Sequence, residues 1–254
     1  FGKGEKDGKE YDHPLELHKT GNYQRVRKIS KMPCKVLDAP ALQDDFYLNL
    51  IDWSSANQLA VGLGNCIYLW NADTSKVTKL CELQNDLVTS VGWAASANLL
   101  AVGCNRGEVQ LWDVNETRQI RKMCGHEIRV GAIAWSSSQL ATGSRDKSVL
   151  LRDVRARRDF SCKLGEHSQE ICGLKWSLDE QYLASGGNDN KVGVWSAGGQ
   201  LLNKFTDHRA AVKALAWSPQ QHGLLATGGG TADRMLRLRN VFTSQIVFEK
   251  DTGS

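Results

Sequence analysis

Val88-Thr89-Ser90-Val91-Gly92-Trp93, then Leu99-Leu100-Ala101-Val102-Gly103-Cys104, then Glu108 to Val114 and Arg118 to Cys124, reads as four short strands separated by turns. Each run is rich in β-branched and small apolar residues, and the gaps between them hold Asn, Gly and Asp, the residues of tight turns. The same order returns along the chain. Trp53, Trp93, Trp135, Trp176 and Trp217 close five such inner runs at gaps of 40, 42, 41 and 41 residues. A four-strand unit of about 40–45 residues cannot bury its apolar face alone and must stack on its neighbours, so the period predicts an all-β propeller. The blades fall near residues 47–83, 87–124, 129–164, 170–206 and 212–249, in a propeller over 35–254 that follows a polar, basic linker over 1–34.

Composition narrows the function classes. The 254 residues are 41% apolar and 24% charged, ordinary for a globular chain, so the repeat rather than the length sets the domain count. No apolar run approaches the roughly 18 residues of a membrane span. The stretch Phe1 to Glu10 is polar and glycine-rich rather than signal-like. A soluble intracellular protein without a membrane partner is expected. The formal charge of +4 lacks the concentrated basic face of a nucleic-acid binder. Only Arg25, Arg27, Lys28, Lys31 and Lys35 cluster, as a solvated linker or, alternatively, a nuclear-import or docking segment. Cys34, Cys66, Cys81, Cys104, Cys124, Cys162 and Cys172 form no C-x-x-C pair, so reduced core thiols are expected rather than a disulfide frame or a metal site.

Nothing in the chain matches a catalytic motif. There is no G-x-S-x-G elbow, H-E-x-x-H helix, P-loop or dinucleotide fingerprint. Gly228-Gly229-Gly230-Thr231 lacks the Lys and the helix of a phosphate loop, and is expected to be a turn that needs positive φ. A non-enzyme without cofactor is the expectation.

His126, His167 and His208 recur 41 residues apart, just before inner strands and in phase with the tryptophans. Here the chain resembles WD-repeat proteins. That resemblance implies a buried chain of hydrogen bonds from His through a turn Asp and a Ser or Thr to a third-strand Trp. His167, Asp189, Ser185 and Trp195 match all four positions. In blades three and five Arg152 and Arg239 stand in place of the Trp, with His126, Ser144 and Asp146, and His208, Thr227 and Asp233, still expected to pair.

More specific strings follow: Lys35 to Pro40, Leu42-Gln43-Asp44-Asp45-Phe46-Tyr47-Leu48-Asn49-Leu50, Asp52-Trp53-Ser54-Ser55, Gln169-Glu170, Ser185-Gly186-Gly187-Asn188-Asp189-Asn190 and Gly228 to Arg234. These resemble the Fizzy and Fizzy-related family, co-activators of the anaphase-promoting ubiquitin ligase. Leu42 to Phe46, Val61-Gly62-Leu63-Gly64 and Gly230-Thr231-Ala232-Asp233 are closer to the Fizzy-related branch.

The resemblance implies a substrate receptor that captures D-box and KEN-box degrons of cell-cycle proteins such as cyclins, in nucleus and cytoplasm. Leu37 and Asp38 match its D-box positions, and Asp45, Phe46, Asn188 and Thr231 its KEN-box positions. Each has a plainer reading: Asp38 as a turn cap before Ala39-Pro40, Asn188 as a turn residue, Phe46 as packing, Thr231 as a turn hydroxyl. The family ring has seven blades and this sequence supplies five. Neither the C-box nor the Ile-Arg tail that engages the ligase is found in it, so ligase subunits are expected to be met through regions absent here. The first residue is Phe1, which leads us to expect a fragment. The alternative is a non-catalytic interaction scaffold that has lost degron-receptor activity.

Overall fold

The structure, a computed structural model, describes residues 30–253. Two units are distinguished, Phe1–Asp38 and Ala39–Ser254. Residues 30–38 of the first contain neither helix nor strand, and most of the linker expected over 1–34, with Arg25, Arg27 and Lys28, lies outside the described residues.

In the second unit every regular element is a strand, and twenty strands form five four-stranded antiparallel sheets, each taken up by consecutive strands. Blade one comprises β1 (Ile51–Trp53), β2 (Gln58–Leu63), β3 (Cys66–Asn71) and β4 (Val77–Glu82). Blade two comprises β5 (Val88–Trp93), β6 (Leu99–Cys104), β7 (Val109–Asp113) and β8 (Arg118–Met123). Blade three comprises β9 (Val130–Trp135), β10 (Leu140–Ser144), β11 (Val149–Arg152) and β12 (Cys162–Leu164). Blade four comprises β13 (Ile171–Trp176), β14 (Tyr182–Gly187), β15 (Val192–Ser196) and β16 (Leu201–Phe205), and blade five β17 (Val212–Trp217), β18 (Leu224–Gly229), β19 (Met235–Asn240) and β20 (Ile246–Asp251).

The core lies between blades rather than within them. One cluster joins Ile67 and Leu69 to Val91 and Leu100. A second joins Leu111 and Met123 to Val130 and Leu140, a third Val149 and Leu151 to Ile171 and Trp176, and a fourth Val192 and Phe205 to Val212 and Leu225. Each fully buried aliphatic side chain contributes about 1.5–3 kcal/mol, so a blade is stabilised by the neighbour that covers it. In blade two burial falls outward, from β5, buried throughout, to the charged outer strand β8, largely exposed, and the outermost strand of blade five, β20, is exposed along its whole length. Charge on an edge strand discourages further pairing.

The tryptophan period has a direct cause. Each indole N–H reaches back to the carbonyl of the residue preceding the Trp of the previous blade: Trp93 to Asp52 at 3.2 Å, Trp135 to Gly92 at 2.9 Å, Trp176 to Ala134 at 3.2 Å and Trp217 to Lys175 at 3.0 Å. Trp53, at the end of β1, is 52% exposed and meets Trp70 edge-on.

The histidine networks follow the sequence in blades four and five and depart from it in blade three. In blade four His167 Nδ1 lies 3.0 Å from Asp189 Oδ1 and Nε2 lies 2.8 Å from Ser185 Oγ, which also accepts from Trp195 Nε1 at 2.8 Å. In blade three the hydroxyl is Thr142, not Ser144: His126 Nε2 lies 2.9 Å from Thr142 Oγ1, and Arg152 Nε donates to that oxygen at 3.0 Å. Ser144, two residues on along the same strand, donates instead to the Ile128 carbonyl. In blade five His208 bonds Asp233 and Thr227, yet Arg239 does not close the chain. It lies over the Phe205 ring at 4.1 Å and pairs with Asp207 at 2.8 Å.

The glycine turn also differs from expectation. Gly228, Gly229 and Gly230 do not adopt positive φ; Arg234 does, at 55°. Glycine is required at Gly229 for closeness, because a Cβ there would stand 2.1 Å from Asp233 Oδ2.

Candidate functional site at the channel mouth

The inner strands line a central channel, and Asn49, just before β1, forms an isolated parallel bridge with Ser90 of β5. Pairing with the second strand is interrupted near the start of β5, β9, β13 and β17, leaving Thr89, Gly131, Cys172 and Lys213 as the extra residues. A bulge re-aims the side chain it carries. Lys213, at the last of these, donates to the carbonyls of Phe46 at 2.6 Å and Leu48 at 3.0 Å, far back in the sequence. Gly131 leaves room for the same segment, since a Cβ there would lie 2.7 Å from the Tyr47 carbonyl.

The segment Asp45 to Leu50 is thereby seated at the end of the channel where the inner strands begin. Asp45 accepts from the Tyr47 N–H through Oδ1 at 2.9 Å and from Arg129 Nη1 through Oδ2 at 3.0 Å. Arg129 also grips the buried Glu170 with two parallel bonds, Nε to Oε1 at 2.7 Å and Nη2 to Oε2 at 2.9 Å. Those bonds to Glu170 hold the guanidinium above its ordinary pKa. Its charge also lies 5.0 Å from the centre of the Tyr47 ring, and the Tyr47 hydroxyl donates to Asn188 Oδ1 at 2.9 Å. Asn188 donates in turn to Gln169 at 2.5 Å, and its N–H bonds the Glu170 carbonyl at 2.8 Å. Phe46 stands edge-on to Tyr47 and under the Lys213 ammonium at 5.3 Å. Burial pushes the Lys213 pKa down and that of Tyr47 up.

The expected residues divide as follows. Asp45, Phe46 and Asn188 share this network. Thr231 is exposed on the adjacent turn of blade five, whose Gly230 N–H bonds the Ala211 carbonyl just before β17. Leu37 and Asp38 belong to the first unit, where both are exposed. Arg129, Glu170, Tyr47 and Lys213 were not singled out by sequence. One signal was available: Arg129 and Glu170 each sit three residues after a periodic His, at equivalent places in adjacent blades and with opposite charge.

Chemically this is a recognition surface. A carboxylate offers about four lone-pair directions, so Asp45, with one donor on each oxygen and a side chain 36% exposed, retains acceptor capacity toward solvent. An amide, an aromatic ring and a fixed carboxylate can together take an ammonium group, its apolar stem and peptide polar atoms. The described residues contain no cluster suited to a metal ion.

The sequence model of the CDC20/Fizzy WD40 domain matches residues 37–254. The chain belongs to that family. It is 60% identical over 230 residues to the B-type cell cycle switch protein ccs52A of Medicago truncatula, covering 90% of this chain and 48% of the relative. It is 56% identical over 249 residues to Protein FIZZY-RELATED 2 of Arabidopsis thaliana, covering 97% of this chain and 51% of the relative. These relatives are of the Fizzy-related kind, as the strings Leu42 to Phe46 and Gly230 to Asp233 indicated. The chain thus spans about half the length of the curated relatives it matches. Among solved structures, a chain of the crystal structure of the mitotic checkpoint complex superposes with a TM-score of 0.87 at 40% identity, covering 98% of this chain and 76% of that one. The fold of this Fizzy-family chain is a WD40 propeller.

Proposed function

We propose that this chain is the substrate-recognition part of an activator of the anaphase-promoting ubiquitin ligase. It takes KEN-box degrons at Asp45, Phe46, Asn188 and Thr231 and D-box degrons at Leu37 and Asp38. The observation that carries the reading is the Asp45 carboxylate, fixed through both oxygens yet open to solvent, in one network with Asn188 and beside Phe46. Among the relatives, one from Dictyostelium discoideum, 47% identical over 263 residues, is named anaphase-promoting complex subunit cdh1. A charge-assisted bond from a degron Lys to Asp45, or from a degron Arg to Asp38, contributes about 1.5–3 kcal/mol.

The chain acts by binding rather than turnover, in nucleus and cytoplasm, on cyclins and similar proteins, without nucleic acid, membrane or cofactor. Docking to the ligase falls to other parts of the protein. The test is ubiquitin transfer by the purified ligase to a cyclin fragment, with the full-length protein as activator. Transfer that falls when Asp38→Asn and Asp45→Asn are combined supports the reading; transfer that needs the protein but ignores both substitutions and both degrons removes it.

One observation favours a second reading, a scaffold without receptor activity: Asp45 and Asn188 already have internal partners. In that case the full-length protein would associate with the ligase and leave cyclin transfer unchanged.

A further inference from the structure

We infer that Arg129 is a positioning residue of the KEN-box site, which holds the Asp45 carboxylate in the orientation that receives the degron lysine. The inference rests on the receptor reading above and adds to it a residue that does not touch the degron. Three observations carry it. Arg129 is anchored before it reaches Asp45, because the paired bonds to Glu170 fix the plane of the guanidinium, and Glu170 itself is buried. Only one of its amino groups, Nη1, is left to point at Asp45, at 3.0 Å. The Arg129 side chain is 14% exposed against 36% for Asp45, so the carboxylate, not the guanidinium, faces solvent.

Charge explains why an arginine can stand here without repelling a lysine ligand. Asp45, Arg129 and Glu170 together carry one net negative charge, and the outward member of the trio is the acid. Arg129 therefore removes the rotational freedom of Asp45 ahead of binding, and an ordered carboxylate gives up less entropy when the ammonium arrives. Lysine cannot replace it, since one ammonium cannot both span the two Glu170 oxygens and hold a fixed fork toward Asp45.

The experiment measures binding of a fluorescent peptide with one Lys-Glu-Asn core to the full chain carrying Asp45→Asn, Arg129→Gln or Arg129→Lys, or Asp45→Asn combined with either Arg129 change, beside thermal melts. A second peptide has Ala in place of the Lys. Each Arg129 variant is expected to bind the Lys peptide roughly five- to tenfold more weakly, to bind the Ala peptide as wild type does, and to add little to the loss caused by Asp45→Asn. If Arg129→Gln does not fold, Arg129→Lys alone decides. Equal losses for both peptides, losses that simply multiply, or wild-type binding by the Arg129 variants while Asp45→Asn is weak overturn the positioning role alone. Wild-type binding by Asp45→Asn overturns the KEN-box reading beneath it.

Discussion

The indole nitrogen of Trp135 donates to the backbone carbonyl of Gly92 at 2.9 Å, joining the end of β9 to the end of β5. The bond repeats at Trp93, Trp176 and Trp217, so the residue that sets the sequence period is also the residue that spaces the blades.

Trp135→Phe keeps most of the apolar surface and removes the donor. The expected loss is about 1 kcal/mol, or about 2–4 °C in melting temperature. Trp53→Phe is the contrast: its indole donates to none of the described residues, and its melt should match wild type. A thermal scan of both variants checks the pair, and equal losses would show that ring size rather than the bond matters.

The blade-four network makes stability depend on acid. Burial alone would raise the pKa of Asp189, but the hydrogen bonds from His167 and from the Ser168 N–H prevail and lower it from 3.8 to about 2. A depressed carboxyl contributes stability that is present above the unfolded value and is lost as pH falls through the folded one. The contribution, about 2 kcal/mol, should therefore fade between pH 3.8 and about 2. Asp189→Asn should lower stability at neutral pH and flatten this limb in denaturant titrations. An unchanged acid limb would contradict the assignment.

The thiols divide by burial. Burial pushes Cys81 and Cys172 up to about 12 and raises Cys104 as well. Cys34 and Cys124 are exposed. Under native conditions a thiol reagent should modify Cys34 and Cys124 first, with the three buried thiols reacting only on unfolding. Peptide mapping of the labelled protein reads this out, and early label on Cys104 would contradict the packing.

Lys213 ties β17 to the segment that carries Asp45 and Phe46. Lys213→Met removes both of its bonds to that segment and keeps the stem. Hydrogen exchange at Leu48, whose N–H bonds the Asp45 carbonyl, should quicken roughly fivefold, equivalent to about 1 kcal/mol. No change there would mean that the segment is held without the lysine.

The fold was legible because one residue type, Trp, performs the same contact in blades two to five, and because strand alternation and turn residues agree with it. The His167 network was legible for the same reason. Blade three misled because Thr142 and Ser144 lie two residues apart on one strand and thus on one face, so spacing alone could not choose between two hydroxyls. The His208, Thr227 and Asp233 of blade five were legible too, while Arg239, in place of the Trp, turns to Phe205 and Asp207. Asp45, Phe46 and Asn188 were reached through family resemblance. Their partners Arg129 and Lys213 were not assigned to the site, because contacts across 84 and 167 residues leave no local trace. The bulge near the start of β17, visible in the fold, aims Lys213 at the segment that carries Asp45 and Phe46.

The measurement that bears most directly on the receptor reading is direct binding of a KEN-box peptide and its scrambled counterpart to the chain, with Asn188→Ala alongside. The account predicts that the KEN peptide binds more tightly than the scrambled one and that Asn188→Ala weakens it by about 1–2 kcal/mol, the value of one lost hydrogen bond in a partly buried site. Equal affinity for the two peptides, or an Asn188→Ala variant that binds as wild type does, would contradict it.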